Sequence, residues 1–236
     1  MKTRLFICVC ILFSLLSCSS SEKEQLETAL AFADTNRAEL EKVLEYYKND
    51  SLKLKAAIYL IENMPLYYTY KGSDLDSLHI ALEQYAVSDS YDKHLEYLKR
   101  FPYRNLFKEY DAKVITSEYL IENIEYSFKV WRETPWGKYV SFDNFCEFIL
   151  PYRIKDEPLT HWKKDFYHRF KPVLDSLYQG TDVVEATSCL SNYATSLDWK
   201  YQMNLQVHIY QLNSCWNYNL AIVRVLQISD VICYVR

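Results

Sequence analysis

Cys215 has the most telling surroundings in the chain. Tyr210-Gln211-Leu212-Asn213-Ser214-Cys215-Trp216 runs into the apolar stretch from Asn217 to Leu226, so the thiol stands at the mouth of a predicted helix. The positive end of a helix dipole favours a thiolate there. A thiolate can attack an amide carbonyl, but turnover also needs a base for the thiol proton and a group that orients the base. No histidine follows Cys215 in this sequence; a predicted strand, Val231 to Val235, comes next, and then Arg236. His208 stands just upstream and would have to fold back across the start of the helix. His161 and His168 share a face of one predicted helix but lack a third ligand at helical spacing, which favours a partly packed or solvated pair over a metal site. His79 and His94 read as surface residues on helices.

The other chemically committed cysteine is Cys18. Lys2 and Arg4 precede an apolar run, Leu5 to Leu16, that is short for a bilayer span. It closes on Leu15-Leu16-Ser17-Cys18, followed by Ser19-Ser20-Ser21. That order resembles a bacterial lipoprotein box and implies cleavage before Cys18 and lipid on its sulfur and new amino group. Several acyl chains together anchor a protein firmly. The expected partner is therefore a membrane reached through the lipid anchor, and the expected location is the bacterial cell envelope, at the outer membrane.

Seven cysteines reduce to four once Cys8 and Cys10 leave with the signal and Cys18 is acylated. Cys146, Cys189, Cys215 and Cys233 show no disulfide framework and no Cys-x-x-Cys pair, so neither structural zinc nor another cofactor is expected. Cys146 and Cys189 lie among apolar neighbours and read as small core residues. The formal charge of −4 becomes about −6 without Lys2 and Arg4, and no basic stripe is present, which disfavours nucleic acid as a partner. Gly72, Gly137 and Gly180 are the only glycines, too few for a phosphate-cradling loop. About 218 residues of mature chain suffice for one sizeable core or two smaller ones.

The elements that must position these groups are mostly helical. Ser21 to Glu24 has the form of a capping box before Leu26, Leu30 and Ala33. Asp34 or Asn36 would cap a helix carrying Leu40, Val43 and Leu44. Ser51 would cap another, with Leu52, Leu54, Ala57, Ile58 and Ile61 inward and a stop at Pro65. Further helices are predicted over Asp74 to Tyr85, Lys113 to Trp131, Phe142 to Leu150, Leu159 to Leu177 and, capped by Asp182, Val183 to Leu197. Leu205 to Tyr210 alternates like a strand. Tyr-Leu-Ile-Glu-Asn occurs at Tyr59 to Asn63 and again at Tyr119 to Asn123, too little for a repeat array. Gln179-Gly180-Thr181 is the nearest thing to a boundary. The organisation read from this is a signal peptide over 1–17, a tether over 18–23, a helical region over 24–178 and an α+β part over 179–236. Aromatic clusters at Tyr67-Tyr68-Thr69-Tyr70 and Phe166-Tyr167 read first as helix-packing residues and second as a face for a peptide or glycan. Asp156 with Glu157, and Glu118 with Glu122, read as solvated acidic faces.

Around Cys215 the chain resembles the transglutaminase-like superfamily, whose papain-like core opens with a cysteine-bearing helix on a sheet. Cys215, Ala221, Arg224, Leu226 and Ile228 stand at that pattern's places. Asn213 replaces its glycine, and Gln227 and Ser229 replace the glycine and proline of its turn. Leu60 to Pro65, Ser117 to Asn123, Pro135 to Lys138, Phe145 to Arg153 and Asp156 to Leu159 are similar to the helical lead of transglutaminase-like lipoproteins of Bacteroidetes. The resemblance implies a mainly α chain: a helical N-terminal region leading into the start of a papain-like α+β core. It implies acyl transfer at an amide in a complete relative, with Cys215 as nucleophile and a histidine and an aspartate supplied by later strands. Those strands are not in this sequence, so the chain reads as truncated after the nucleophile helix and without catalysis as it stands. The alternative is a non-enzymatic helical envelope module that binds a peptide or glycan.

Overall fold

The structure, a computed structural model, describes residues 23–73, 106–153 and 159–196. Within them the chain is mainly helical, with one two-stranded antiparallel sheet. Helix α1 (23–32) buries Ala29 and Leu30. Asp34 then adopts a left-handed backbone with φ of 54°, a conformation that Asp tolerates better than most residues. The chain turns there into α2, Arg37–Tyr46, which buries Leu40 and Val43 on one face. Neither Asp34 nor Asn36 caps α2 with its side chain. The Asn36 amide instead donates to the carbonyls of Ala112 (3.0 Å) and Ile115 (2.8 Å).

Helix α3, Ser51–Asn63, is capped by Asp50 rather than Ser51. Asp50 has the extended backbone an N-cap needs, and its carboxylate accepts from Lys53 N at 3.1 Å. Pro65 lies in a 3-10 turn, Met64–Leu66, that follows α3 directly. Strands β1, Tyr68–Lys71, and β2, Phe107–Tyr110, pair with Tyr68 opposite Tyr110 and Lys71 opposite Phe107. Gly72 follows β1 with φ of 148°, which a side chain would oppose. The helix expected over Asp74 to Tyr85 falls outside the described residues.

Helix α4, Ser117–Glu133, is the spine. The sequence places its start at Lys113, but Asp111–Lys113 form a 3-10 turn, and two separate caps set the true start. Thr116 Oγ1 accepts from Tyr119 N at 3.2 Å, and Glu39 of α2 accepts from Ser117 N at 2.8 Å and from Ser117 Oγ at 2.7 Å. One face of α4 buries Leu120, Ile124 and Phe128 against α2 and α3. The segment expected as a helix from Phe142 to Leu150 is a single turn, α5 (Phe142–Asn144), widening into a π turn, Phe145–Ile149. Leu150 N reaches back to Phe145 O at 2.9 Å, and the wide turn carries Phe145, Cys146 and Ile149 in the core.

Helix α6, Trp162–Leu177, begins later than Leu159 and continues through Pro172. Helix α7, Val183–Ser196, has the expected cap: Asp182 Oδ1 accepts from Val184 N (2.7 Å) and Glu185 N (3.2 Å). Between them Tyr178 folds over Gly180, where a Cβ would run into the phenol ring. The apolar residues form two clusters. The larger joins α1 to α5 around Leu40, Ile61, Leu120, Ile124, Phe128 and Phe145. The smaller joins Trp136, Trp162, Phe166, Phe170 and Leu174 to Ala186 and Leu190 of α7. The strands and helix expected around Cys215 lie outside the described residues.

Candidate functional site

The groups with chemical potential in the described region sit mainly inside it. Arg153 and Asp111 have side chains only 1 % exposed. Arg153 follows the end of the π turn at Ile149 by four residues, and the 3-10 turn after β2 begins at Asp111. Arg153 Nη2 donates to Asp111 Oδ1 and to Thr69 Oγ1, each at 2.8 Å, and Nη1 donates to Tyr68 O at 2.6 Å. Its Nε lies 2.7 Å from Asp111 Oδ2, within ion-pair distance. The Tyr152 hydroxyl donates to Asp111 Oδ2 at 3.0 Å, and burial pushes that hydroxyl well above its ordinary pKa. The constellation fixes β1 to the loop after the π turn.

Lys163 is 5 % exposed. Its Nζ donates to Ser127 Oγ (2.7 Å), Ile149 O (2.8 Å), Pro151 O (3.1 Å) and Leu150 O (3.2 Å). Burial pushes the amine well below its ordinary pKa; the surrounding acceptor oxygens act in the opposite direction. A serine beside a lysine has the composition of a nucleophile and its base. Ser127, however, is fully buried and its own hydroxyl donates to Asn123 O at 2.7 Å, so no substrate carbonyl reaches it.

Above Lys163, where α4 meets the start of α6, a surface hollow is lined by Tyr119, Glu122, Asn123, Thr160, His161 and Lys164. Glu122 accepts from Lys164 Nζ at 2.8 Å and stands 2.5 Å from His161 Nδ1. Burial works against the Glu122 carboxylate, but its bonds to Lys164 and His161 outweigh that and hold it below the usual carboxylate range. His161 also meets the Tyr119 ring edge-on at 5.2 Å. Seven residues further along, on α6, His168 Nε2 lies 2.8 Å from the Tyr126 hydroxyl. Each imidazole thus has its own partner on α4. Among the described residues no group of three or more His, Cys, Asp or Glu is placed to hold a metal ion.

The residues singled out by sequence fare unequally. Cys18, Cys215, Cys233, His79, His94 and His208 lie outside the described residues. Cys146 is buried in the larger core, and burial raises its thiol to about 12, so it is unreactive at neutral pH. Cys189 is half-buried on α7. Glu118 is exposed as expected, whereas Glu122 is the half-buried acceptor just described. Phe166 packs in the smaller core, and the Tyr167 hydroxyl donates to Glu133. Tyr67 packs on Tyr152, while Tyr68 contacts Tyr70 and Tyr110 edge-on at 5.4 and 5.8 Å.

Sequence reasoning missed Lys163 and Arg153. A signal for Lys163 exists: with Phe166, Tyr167, Phe170 and Leu174 it completes one helical stripe, and a cation on an apolar stripe marks a buried charge. Nothing local marks the pairing of Arg153 with Asp111, which are 42 residues apart. No protein-family model matches the chain, and no curated protein or solved structure matches it.

Proposed function

We propose that this chain is a membrane-anchored envelope lipoprotein, similar to transglutaminase-like thiol proteins, whose helical body serves as a scaffold and carries no turnover of its own. The order Lys2, Arg4, apolar run, Ser17, Cys18 supports the anchor, with lipid on Cys18 and the outer membrane as the destination. The lead motifs and the setting of Cys215 support the family reading and its papain-like α+β continuation. The observation that carries the scaffold reading is the internal commitment of reactive side chains: Arg153 and Asp111 neutralise each other, and Lys163 is enclosed by its own chain's oxygens. In that reading Cys215 is the one nucleophile candidate.

The test uses the full chain expressed in a two-membrane bacterium. Wild type is expected in the membrane fraction with lipid mass on Cys18, and Cys18→Ala as uncleaved or soluble protein. Equal membrane partition of both, with no lipid on wild type, overturns the anchor. Assay on glutamine-donor and peptide substrates is expected to give no turnover; turnover that vanishes in Cys215→Ala overturns the scaffold reading and makes His208 the first base to examine.

A second reading, a module that binds a peptide or glycan, draws on one observation. Phe32, Tyr110, Tyr68 and Tyr70 form an edge-to-face series, with Lys113 and Lys108 lying over the Phe32 and Tyr68 rings at 5.4 and 4.0 Å. Aromatic rings with flanking donors suit sugar or peptide ligands. Binding to envelope glycan fragments that survives Tyr68→Ala and Tyr110→Ala would remove this support.

A further inference from the structure

We infer that the four oxygens around Lys163 Nζ form an internal binding site for a monovalent cation, which the lysine ammonium fills from within the chain. The argument is one of protons. Ile149 O, Leu150 O and Pro151 O are carbonyls and can only accept, and the proton of Ser127 Oγ is already directed to Asn123 O. All four neighbours therefore present lone pairs to the nitrogen, at 2.7 to 3.2 Å. An ammonium brings three protons to four acceptors, one of them shared. A neutral amine would bring two protons and aim its own lone pair at an oxygen. Three of the four oxygens come from consecutive residues at the end of the π turn, where carbonyls lack intrahelical partners and carry partial negative charge. The Trp162 ring, 5.3 Å from Nζ at its centroid, adds a further surface that favours a cation.

Among the described residues the hydrogen-bond partners of Nζ include no carboxylate; the shell is built from neutral dipoles, as monovalent-cation sites of carbonyl oxygens are. The shell draws on α4 through Ser127 and on the segment after the π turn through residues 149–151, and it closes on α6. Cutting back the lysine should leave an oxygen-lined vacancy of the size and polarity of an ammonium or potassium ion.

The test compares Lys163→Ala and Lys163→Met in the full chain. Lys163→Met fills the shaft but offers no proton, and its melting temperature is expected to fall by several degrees. Lys163→Ala should fall further, then recover in ammonium or methylammonium chloride relative to sodium or tetramethylammonium chloride at equal ionic strength. Wild type should respond alike to all four salts. A Lys163→Met variant as stable as wild type, or a Lys163→Ala variant that responds equally to all four salts, overturns the inference. If neither variant folds, wild type labelled with nitrogen-15 at lysine gives the answer. A slowly exchanging amine coupled to three protons across the neutral range supports the site, and one that has already lost a proton there refutes it.

Discussion

Asp111 and Arg153 illustrate how a single residue pair sets a local energy. Each is nearly sealed from water, and a lone charge there would be several kcal/mol unfavourable. Removing one partner is worse than never having had the pair. Asp111→Ala should therefore lose about 3–5 kcal/mol of stability, read by urea unfolding followed by circular dichroism; a loss below about 1 kcal/mol would mean that water reaches Arg153. Asp34 makes the opposite case, a residue whose backbone rather than side chain carries strain. Its φ of 54° suits Gly and opposes a β-branched residue. Asp34→Gly should leave stability within about 1 kcal/mol of wild type, whereas Asp34→Val should lose about 1–2 kcal/mol. A Val variant as stable as wild type would show that the turn can relax to a different backbone.

At the scale of elements, the start of α4 shows how tertiary contacts overrule local signals. Thr116 is a cap readable from sequence, but the Glu39 carboxylate comes from α2, 78 residues away. Its bonds to Lys42 and to Ser117 lower Glu39 from 4.5 to about 2. A carboxyl with a lowered folded pKa stabilises the fold above its unfolded value and loses that effect as pH falls toward the folded one. Wild type should thus be more stable than Glu39→Gln at neutral pH, with the gap closing between pH 4.5 and about pH 2. A gap that persists at the acid end would assign the effect to shape rather than charge. The same logic explains which elements were legible. Helices α2, α3, α4, α6 and α7 follow from apolar spacing, and Asp182 from its capping chemistry. The strands β1 and β2 were not legible, because four residues of Tyr-Thr-Tyr-Lys are too short for a period and their partner lies far along the chain. The π turn was missed for a related reason: one extra residue in a turn leaves no mark on composition.

At the scale of the whole molecule, two apolar clusters share one polar seam. Lys163 and Asn123 stitch α4 and α6 to the segment after the π turn, while Trp162 Nε1 donates to Tyr152 O at 2.7 Å. Phe170 lies wholly in the smaller cluster, so Phe170→Ala should lose about 3–5 kcal/mol and cut hydrogen-exchange protection over 162–196 more than over 37–63. Equal loss in both would mean that the clusters open as one unit. The candidate site was less legible than the fold because it depends on pairings such as Asp111 with Arg153 that no spacing announces. His161 and His168 were expected on one helix, yet His161 is the residue just before α6, and the partners Glu122 and Tyr126 emerge only when α4 and α6 meet. Cys146 gives this architecture a practical use. With its thiol walled in by the larger cluster, a sulfhydryl reagent can modify it only while that wall is breached. Mass spectrometry of Cys146 beside the half-covered Cys189 would therefore make the protein its own stopwatch: the lag between the two adducts records how often the interior opens in an otherwise native cell extract.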